Sequence, residues 1–129
     1  MQLKKLDHVN VRTSNLEQMI EWYTDILGMR NGERPPFPFP GAWMYAGDQA
    51  VVHLVVVDQE PVTSGLKLEH FALSATGLAA FIERLTQRGI EYQCARVPEF
   101  DVFQVNVYDC DGNHIHIDFS TAEADAINL

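Results

Sequence analysis

The chain has 129 residues, a length that suits one domain. It is 47% hydrophobic and 21% charged, so it is expected to bury a core rather than stay disordered. Nine Lys and Arg against 18 Asp and Glu leave a formal charge of −9. That balance argues against a nucleic-acid binder or a polybasic membrane anchor, both of which rely on excess cations. The longest apolar stretch, Val51 to Val57, is seven residues and contains His53, whereas a bilayer span needs roughly 20. No apolar signal core follows Lys4 and Lys5. The expectation is a cytoplasmic protein with neither nucleic acid nor membrane as partner. Cys94 and Cys110 match no zinc spacing and read as free thiols.

Leu6 to Arg12 alternates with period two and predicts a strand. Ser14 or Asn15 can cap a following helix whose Leu16, Met19, Ile20, Tyr23 and Leu27 share a face, ending at Gly28. Arg34 to Gly41 carries Pro35, Pro36, Pro38 and Pro40 and reads as a loop, with Phe37 and Phe39 forming a lid or a dimer contact. Ala42 to Tyr45 and Ala50 to Val57 read as a hairpin turning at Gly47-Asp48. A polar linker covers Asp58 to Gly65.

The pattern then restarts. Leu68-Glu69-His70-Phe71 repeats Leu6-Asp7-His8-Val9 at an offset of 62 residues. A second helix carries Leu78, Phe81, Ile82 and Leu85 on one face, with Gly89 near its end. Strands are predicted over Ile90–Val97, Phe103–Tyr108 and His114–Phe119, the last two joined by Asp109-Cys110-Asp111-Gly112-Asn113, where Asp-Gly supplies left-handed conformers. The chain therefore reads as an internal duplication of a strand–helix–three-strand unit.

All five histidines, at positions 8, 53, 70, 114 and 116, fall in predicted strands. Strand parity puts each opposite the apolar residues, on the face that the helices leave uncovered. Asn10, Arg12, Gln104, Asn106, Tyr108 and Asp118 share that face. A single strand histidine is usually a satisfied structural residue. Equivalent histidines in two repeated units point instead to metal ligation by neutral imidazole.

The residues that carry a family resemblance are Leu6-Asp7-His8-Val9, the helix ending Trp22-Tyr23-Thr24-Asp25-Ile26-Leu27-Gly28-Met29, Leu68-Glu69-His70-Phe71-Ala72 and Asp109-Cys110-Asp111-Gly112-Asn113-His114-Ile115-His116. In this order they resemble the vicinal oxygen chelate superfamily, which includes glyoxalase I, extradiol dioxygenases and bleomycin-binding proteins. The resemblance implies an α+β fold of two βαβββ repeats forming a cupped mixed sheet with helices on the outer face. It implies a single glyoxalase-like domain over 1–129, with unit one at about 1–60, unit two at about 66–120 and a C-terminal tail over 121–129. It also implies a homodimer, and a divalent metal ion (Zn, Fe, Ni or Mn) held by His8, His53, His70 and His116. His53 ranks last, because that strand is where family members most often lose the ligand. His116 stands where the family most often has Glu, and Cys110 replaces a common Pro. His114 has no ligand counterpart.

Four neutral imidazoles leave a divalent ion near its full charge, which favours a chelating or anionic substrate oxygen and provides no carboxylate ligand to carry a proton. Asp118 is the candidate catalytic carboxylate, or else a solvated strand-end acid. Arg12 either pairs with a substrate carboxylate or makes a surface ion pair. Trp43 and Tyr45 form a pocket wall or pack in the core. Asn10 and Gln104 complete the expected substrate contacts. The expected function is a metal-dependent enzyme, with lyase/isomerase or dioxygenase chemistry on a small oxygen-rich substrate. The competing class is a metal-free, small-molecule-sequestering dimer of the bleomycin-resistance kind.

Overall fold

The computed structural model describes residues 1–62 and 64–129. The elements run β1 (Val9–Thr13), α1 (Leu16–Asp25), β2 (Arg30–Gly32), β3 (Gly41–Ala46), β4 (Gln49–Val56), β5 (His70–Ser74), α2 (Leu78–Arg88), β6 (Gln93–Val97), a single 3-10 turn at Pro98–Phe100, β7 (Val102–Tyr108), β8 (His114–Phe119) and α3 (Thr121–Asp125). This is the βαβββ repeat of an α+β fold. The chain divides into two compact units, Met1–Val62 and Thr63–Leu129. Each holds one four-stranded mixed sheet, in the order β1-β4-β3-β2 and β5-β8-β7-β6.

In the first unit β1 runs parallel to β4, with Asn10 opposite His53, and β3 runs antiparallel to both β4 and β2. The alternation seen in the sequence is the physical reason: Val52 and Leu54 are fully buried while His53 between them is only half-buried. Helix α1 packs on β2, β3 and β4. Its buried Met19, Trp22 and Tyr23 meet Met44, Val52 and Leu54 in the unit's core. Gly41 has to be glycine, because a Cβ there would sit 2.3 Å from the Leu54 carbonyl oxygen where β3 closes on β4.

The second unit repeats the plan. β5 runs parallel to β8, with His70 opposite His114 and Ala72 opposite His116. Phe103, Val105, Val107, Ile115, Ile117 and Phe119 are buried on one sheet face, and Leu78, Phe81 and Leu85 of α2 are buried with them. Phe81 meets Phe119 at 5.8 Å between ring centroids.

The structure departs from the sequence reading at five places. β1 and β5 begin at Val9 and His70, later than the alternation suggests; the acids before their histidines, Asp7 and Glu69, place their carboxylates on the imidazoles. β2 is an additional short strand, antiparallel to β3 and too brief to show a period. β6 starts at Gln93 and not at Ile90, since the Ile90 amide closes the end of α2 by donating to the Leu85 carbonyl. Residues 121–125 of the expected tail are a helix, α3, capped by the Ser120 hydroxyl, which accepts from the Glu123 amide. In the β7–β8 connection Gly112 alone takes a positive φ, at 83°. The organiser there is the buried Asp109, whose Oδ1 accepts from the amides of Asp111 and Asn113.

Candidate metal centre and ligand cavity

Strand register sets the geometry of the imidazoles. Asn10 opposite His53 in the first unit corresponds to Ala72 opposite His116 in the second, because the strand preceding each helix carries its histidine two residues earlier. The result is the same stacked pair twice. His8 and His53 stack with ring centroids 3.8 Å apart and planes 14° from parallel. His70 and His116 stack at 4.0 Å and 9°. His114 is an addition of the second unit alone, since Val51 occupies the matching place on β4.

His70, His114 and His116 each offer a nitrogen, and the three atoms lie within 4.8 Å of one another. This is a cluster of borderline-soft nitrogen donors, the chemistry that suits Zn, Ni, Cu or Fe ions. The three nitrogens are not equally available. The His70 Nδ1 bonds Glu69 Oε2 at 2.5 Å, leaving its Nε2 free. His116 stacks on His70, and among the described residues no hydrogen bond occupies its ring nitrogens. Both nitrogens of His114 face acceptor oxygens, Nδ1 facing Glu69 Oε1 at 2.7 Å and Nε2 facing Asn106 Oδ1 at 3.0 Å. Tyr108 also stacks on that ring at 4.8 Å. Burial, and then the neighbouring His70 and His114, hold the His116 ring below the ordinary imidazole value. The shift favours the neutral ring, the state that ligation requires.

The donor set fits a divalent ion in the second unit. His70 and His116 present free nitrogens, and His114 joins only by turning a nitrogen away from one of its two acceptors. Asp118, two residues beyond His116 on the same strand face, has a buried Oδ1 with no hydrogen-bond partner. Unpaired buried carboxylate oxygens are uncommon and point to a function or an absent partner. Gln104 lies directly opposite Asp118 across the β7–β8 ladder.

The first unit builds a cavity of about 770 Å³ around its own imidazole pair. His8, Asn10, Trp43, Tyr45, His53 and the Phe37–Phe39 loop all contribute to its lining. Trp43 stacks on the other face of His53 at 4.1 Å, so the His53 ring is sandwiched between Trp43 and His8. Burial and the adjacent His8 lower the His53 pKa. The Pro-rich loop is stapled. Phe37 and Phe39 stack at 5.2 Å, and the Arg34 guanidinium lies 4.9 and 5.0 Å from the two rings and donates to the Phe39 carbonyl. Tyr45 donates its hydroxyl to the Glu33 carbonyl. Neither Trp43 nor Tyr45 is a core residue: both are half-buried and face the cavity. Arg12 is exposed and does not contribute to this lining.

Of the expected ligands, His8 and His53 meet in one unit, and His70 and His116 meet in the other. The sequence reading assigned no role to Glu69 or Asp7 and set His114 aside. The acid that precedes the histidine in both repeats was the signal available for the first two. Nothing in the sequence links Glu69 to His114 across 45 positions.

Comparison with known proteins places the fold in a known family. The profile described as Glyoxalase/Bleomycin resistance protein/Dioxygenase superfamily matches residues 5–117. The lactoylglutathione lyase of Salmonella typhimurium is 32% identical over 92 residues, covering 66% of this chain and 68% of that protein. A glyoxalase family protein from Bacillus anthracis superposes with a TM-score of 0.76 at 24% identity, over 93% of this chain and 98% of its own. TnmS3, an antibiotic binding protein from Streptomyces sp. CB03234, superposes with a TM-score of 0.70 at 21% identity, over 93% and 98%.

Proposed function

This chain belongs to the glyoxalase/bleomycin resistance protein/dioxygenase superfamily, and on that premise we propose that it is a divalent-metal-dependent enzyme. Its substrate is a small oxygen-rich molecule that chelates the ion through neighbouring oxygens. Lyase/isomerase chemistry is the first choice, supported by the likeness to a lactoylglutathione lyase; dioxygenase chemistry is the alternative within the same reading. The observation that carries the proposal is the convergence of His70, His114 and His116 in one unit. His70 and His116 hold the ion, and the His8–His53 pair supplies the corresponding candidates in the first unit. A bound ion would act as a Lewis acid on the substrate oxygens.

The remaining roles belong to the chain's own side chains. Asp118 Oδ1, buried and unpartnered, is the proton acceptor that the all-imidazole donor set lacks. Gln104, opposite it on β7, orients the substrate near that oxygen. Asn10 supplies a polar contact in the first-unit cavity, and Trp43 and Tyr45 supply its apolar walls. Arg12 acts on a substrate carboxylate from outside that lining. The working form is a cytoplasmic homodimer.

Metal analysis of untagged protein, paired with variants, tests the reading. Wild type should carry stoichiometric metal. His70→Ala should lose it with far-UV dichroism unchanged, and His114→Ala should lose much less, because both its ring nitrogens already face acceptor oxygens. Carefully loaded wild type that binds no metal would defeat the proposal.

The second reading, a metal-free sequestering protein, draws on a specific observation. The first-unit cavity has an aromatic lining of stacked Trp43 and His53 with Phe37 and Phe39, and the fold is shared with TnmS3. Tight binding of a flat aromatic compound by metal-stripped wild type, together with absence of metal from wild type, would favour it.

A further inference from the structure

The two repeats share more than their stacked imidazoles. In the first, Asp7 Oδ1 accepts from His8 Nδ1 at 2.7 Å. In the second, Glu69 Oε2 accepts from His70 Nδ1 at 2.5 Å. In both, the acid directly precedes the histidine, and that histidine then stacks on the one from the parallel strand. Glu69 does more than Asp7. Its other oxygen takes His114 Nδ1 at 2.7 Å, so one carboxylate ties β5 to β8 through two rings. His114 is held at its far side by Asn106, whose amide in turn donates to the Gln93 carbonyl at 3.3 Å. Glu69 and the Asn106 oxygen both only accept, so a neutral His114, with one N–H, donates to one of them at a time. Asp7 is held from β4, where Gln49 donates to its backbone carbonyl at 2.9 Å.

We propose that Glu69 is a positioning residue that fixes the proton of His70 on Nδ1, leaving Nε2 as the ligand atom, while keeping His114 out of coordination; Asp7 does the same for His8. The inference rests on the metal-binding reading above. The physical argument is that a carboxylate can only accept. A neutral ring facing it must place its one proton on the facing nitrogen, and the opposite nitrogen is then the lone-pair donor. The contact also prevents rotation of the ring about the Cβ–Cγ bond. Such carboxylate–histidine pairs typically raise metal affinity by 10–100-fold. The sharing of Glu69 has a second effect: for His114 to ligate, it must release Glu69 or Asn106. Glu69 thus separates ligand from non-ligand among three rings that all lie within reach of one point.

Long-range imidazole ¹⁵N NMR on metal-free, full-length protein tests this without any bound ion. The pH is held at about 8, above the ordinary imidazole range. Wild type should show His70 in the Nδ1–H form. Glu69→Ala should shift it toward Nε2–H and leave His8 unchanged, and Asp7→Ala should do the reverse. Glu69→Gln, which keeps an acceptor oxygen, should restore the His70 tautomer in part. In a His114→Ala background, where no third ring can take up the site, a Zn²⁺ titration against a chromophoric chelator should then show affinity lower by about 10–100-fold for Glu69→Ala and by less for Glu69→Gln. The Glu69 side chain is 67% exposed, so both variants should fold. Wild-type His70 in the Nε2–H form, or a tautomer that Glu69→Ala does not move, overturns the proposal. An unchanged Zn²⁺ affinity on adding Glu69→Ala to that background overturns it too. Wild type that binds no Zn²⁺ fails the functional reading instead, and the tautomer result still decides the role of Glu69.

Discussion

His53 and His116 give up their protons more readily than free imidazoles, chiefly because burial penalises the charged ring and because other imidazoles stand beside them. Their folded pKa values lie below the 6.5 of the unfolded chain. Between the two values the unfolded chain binds more protons, so stability rises with pH through that window. Urea midpoints should therefore fall as pH drops through 6.5, and His116→Gln should flatten the slope. Asp7 and Glu69 are also shifted downward, but in favour of their charged form, lowered first by their hydrogen bonds to imidazoles. Their contribution is present above 3.8 and 4.5 respectively and disappears only in stronger acid. The cysteines carry a separate expectation. Burial, with Asp109 and Asp111 adding to it, pushes the Cys110 thiol up to about 11, and burial raises Cys94 as well. The thiolate is the nucleophile, so alkylation of both at neutral pH should be slower than for a free thiol, as mass spectrometry against a peptide standard would show.

At the level of elements, the strands place the chemistry and the helices stabilise them. Leu54 is fully buried on β4, directly after His53. Leu54→Ala should cost about 2–5 kcal/mol by denaturant titration, from lost transfer energy and the cavity left behind. The start of α2 depends on a residue far along the chain. Glu123 Oε2 accepts from the amides of Gly77 and Leu78 at 2.6 and 2.9 Å, where Gly77 has no side chain to cap with. Glu123→Ala should cost about 0.5–2 kcal/mol, the range for a lost N-cap. If the stability is unchanged, water replaces the carboxylate at no loss. Arg96 ties α3 back to β6, donating to Asp125 at 2.7 Å and also to the Leu129 carbonyl. The C-terminal segment is therefore an integrated part of the second unit.

For the whole molecule, the duplication is the organising fact. Each unit has its own sheet, its own helix and its own stacked imidazole pair, but the two have diverged. The first has a cavity with an aromatic lining; the second has a third imidazole and a shared carboxylate. No helix among the described residues is long and apolar enough to cross a membrane. The proposed homodimer should give twice the chain mass, about 29 kDa from the 14.6 kDa protomer, by light scattering at micromolar concentration. A monomer with full activity would remove the dimer from the proposal.

The sequence by itself determined the repeat, the strand parity and the set of histidines, because these depend on short-range periodicity. A side chain one residue from a buried Val, Leu or Ile must face the other way, and His53 and His116 do. Only the tertiary structure decided which imidazoles have a free nitrogen. That depends on contacts between residues far apart in the chain, such as Glu69 with His114 and Asn106 with Gln93, and on the register of β5 against β8, which no local pattern encodes. It also decided that Asp118 keeps an unpaired oxygen, since pairing depends on everything within about 3 Å of that atom and not on its position in a strand.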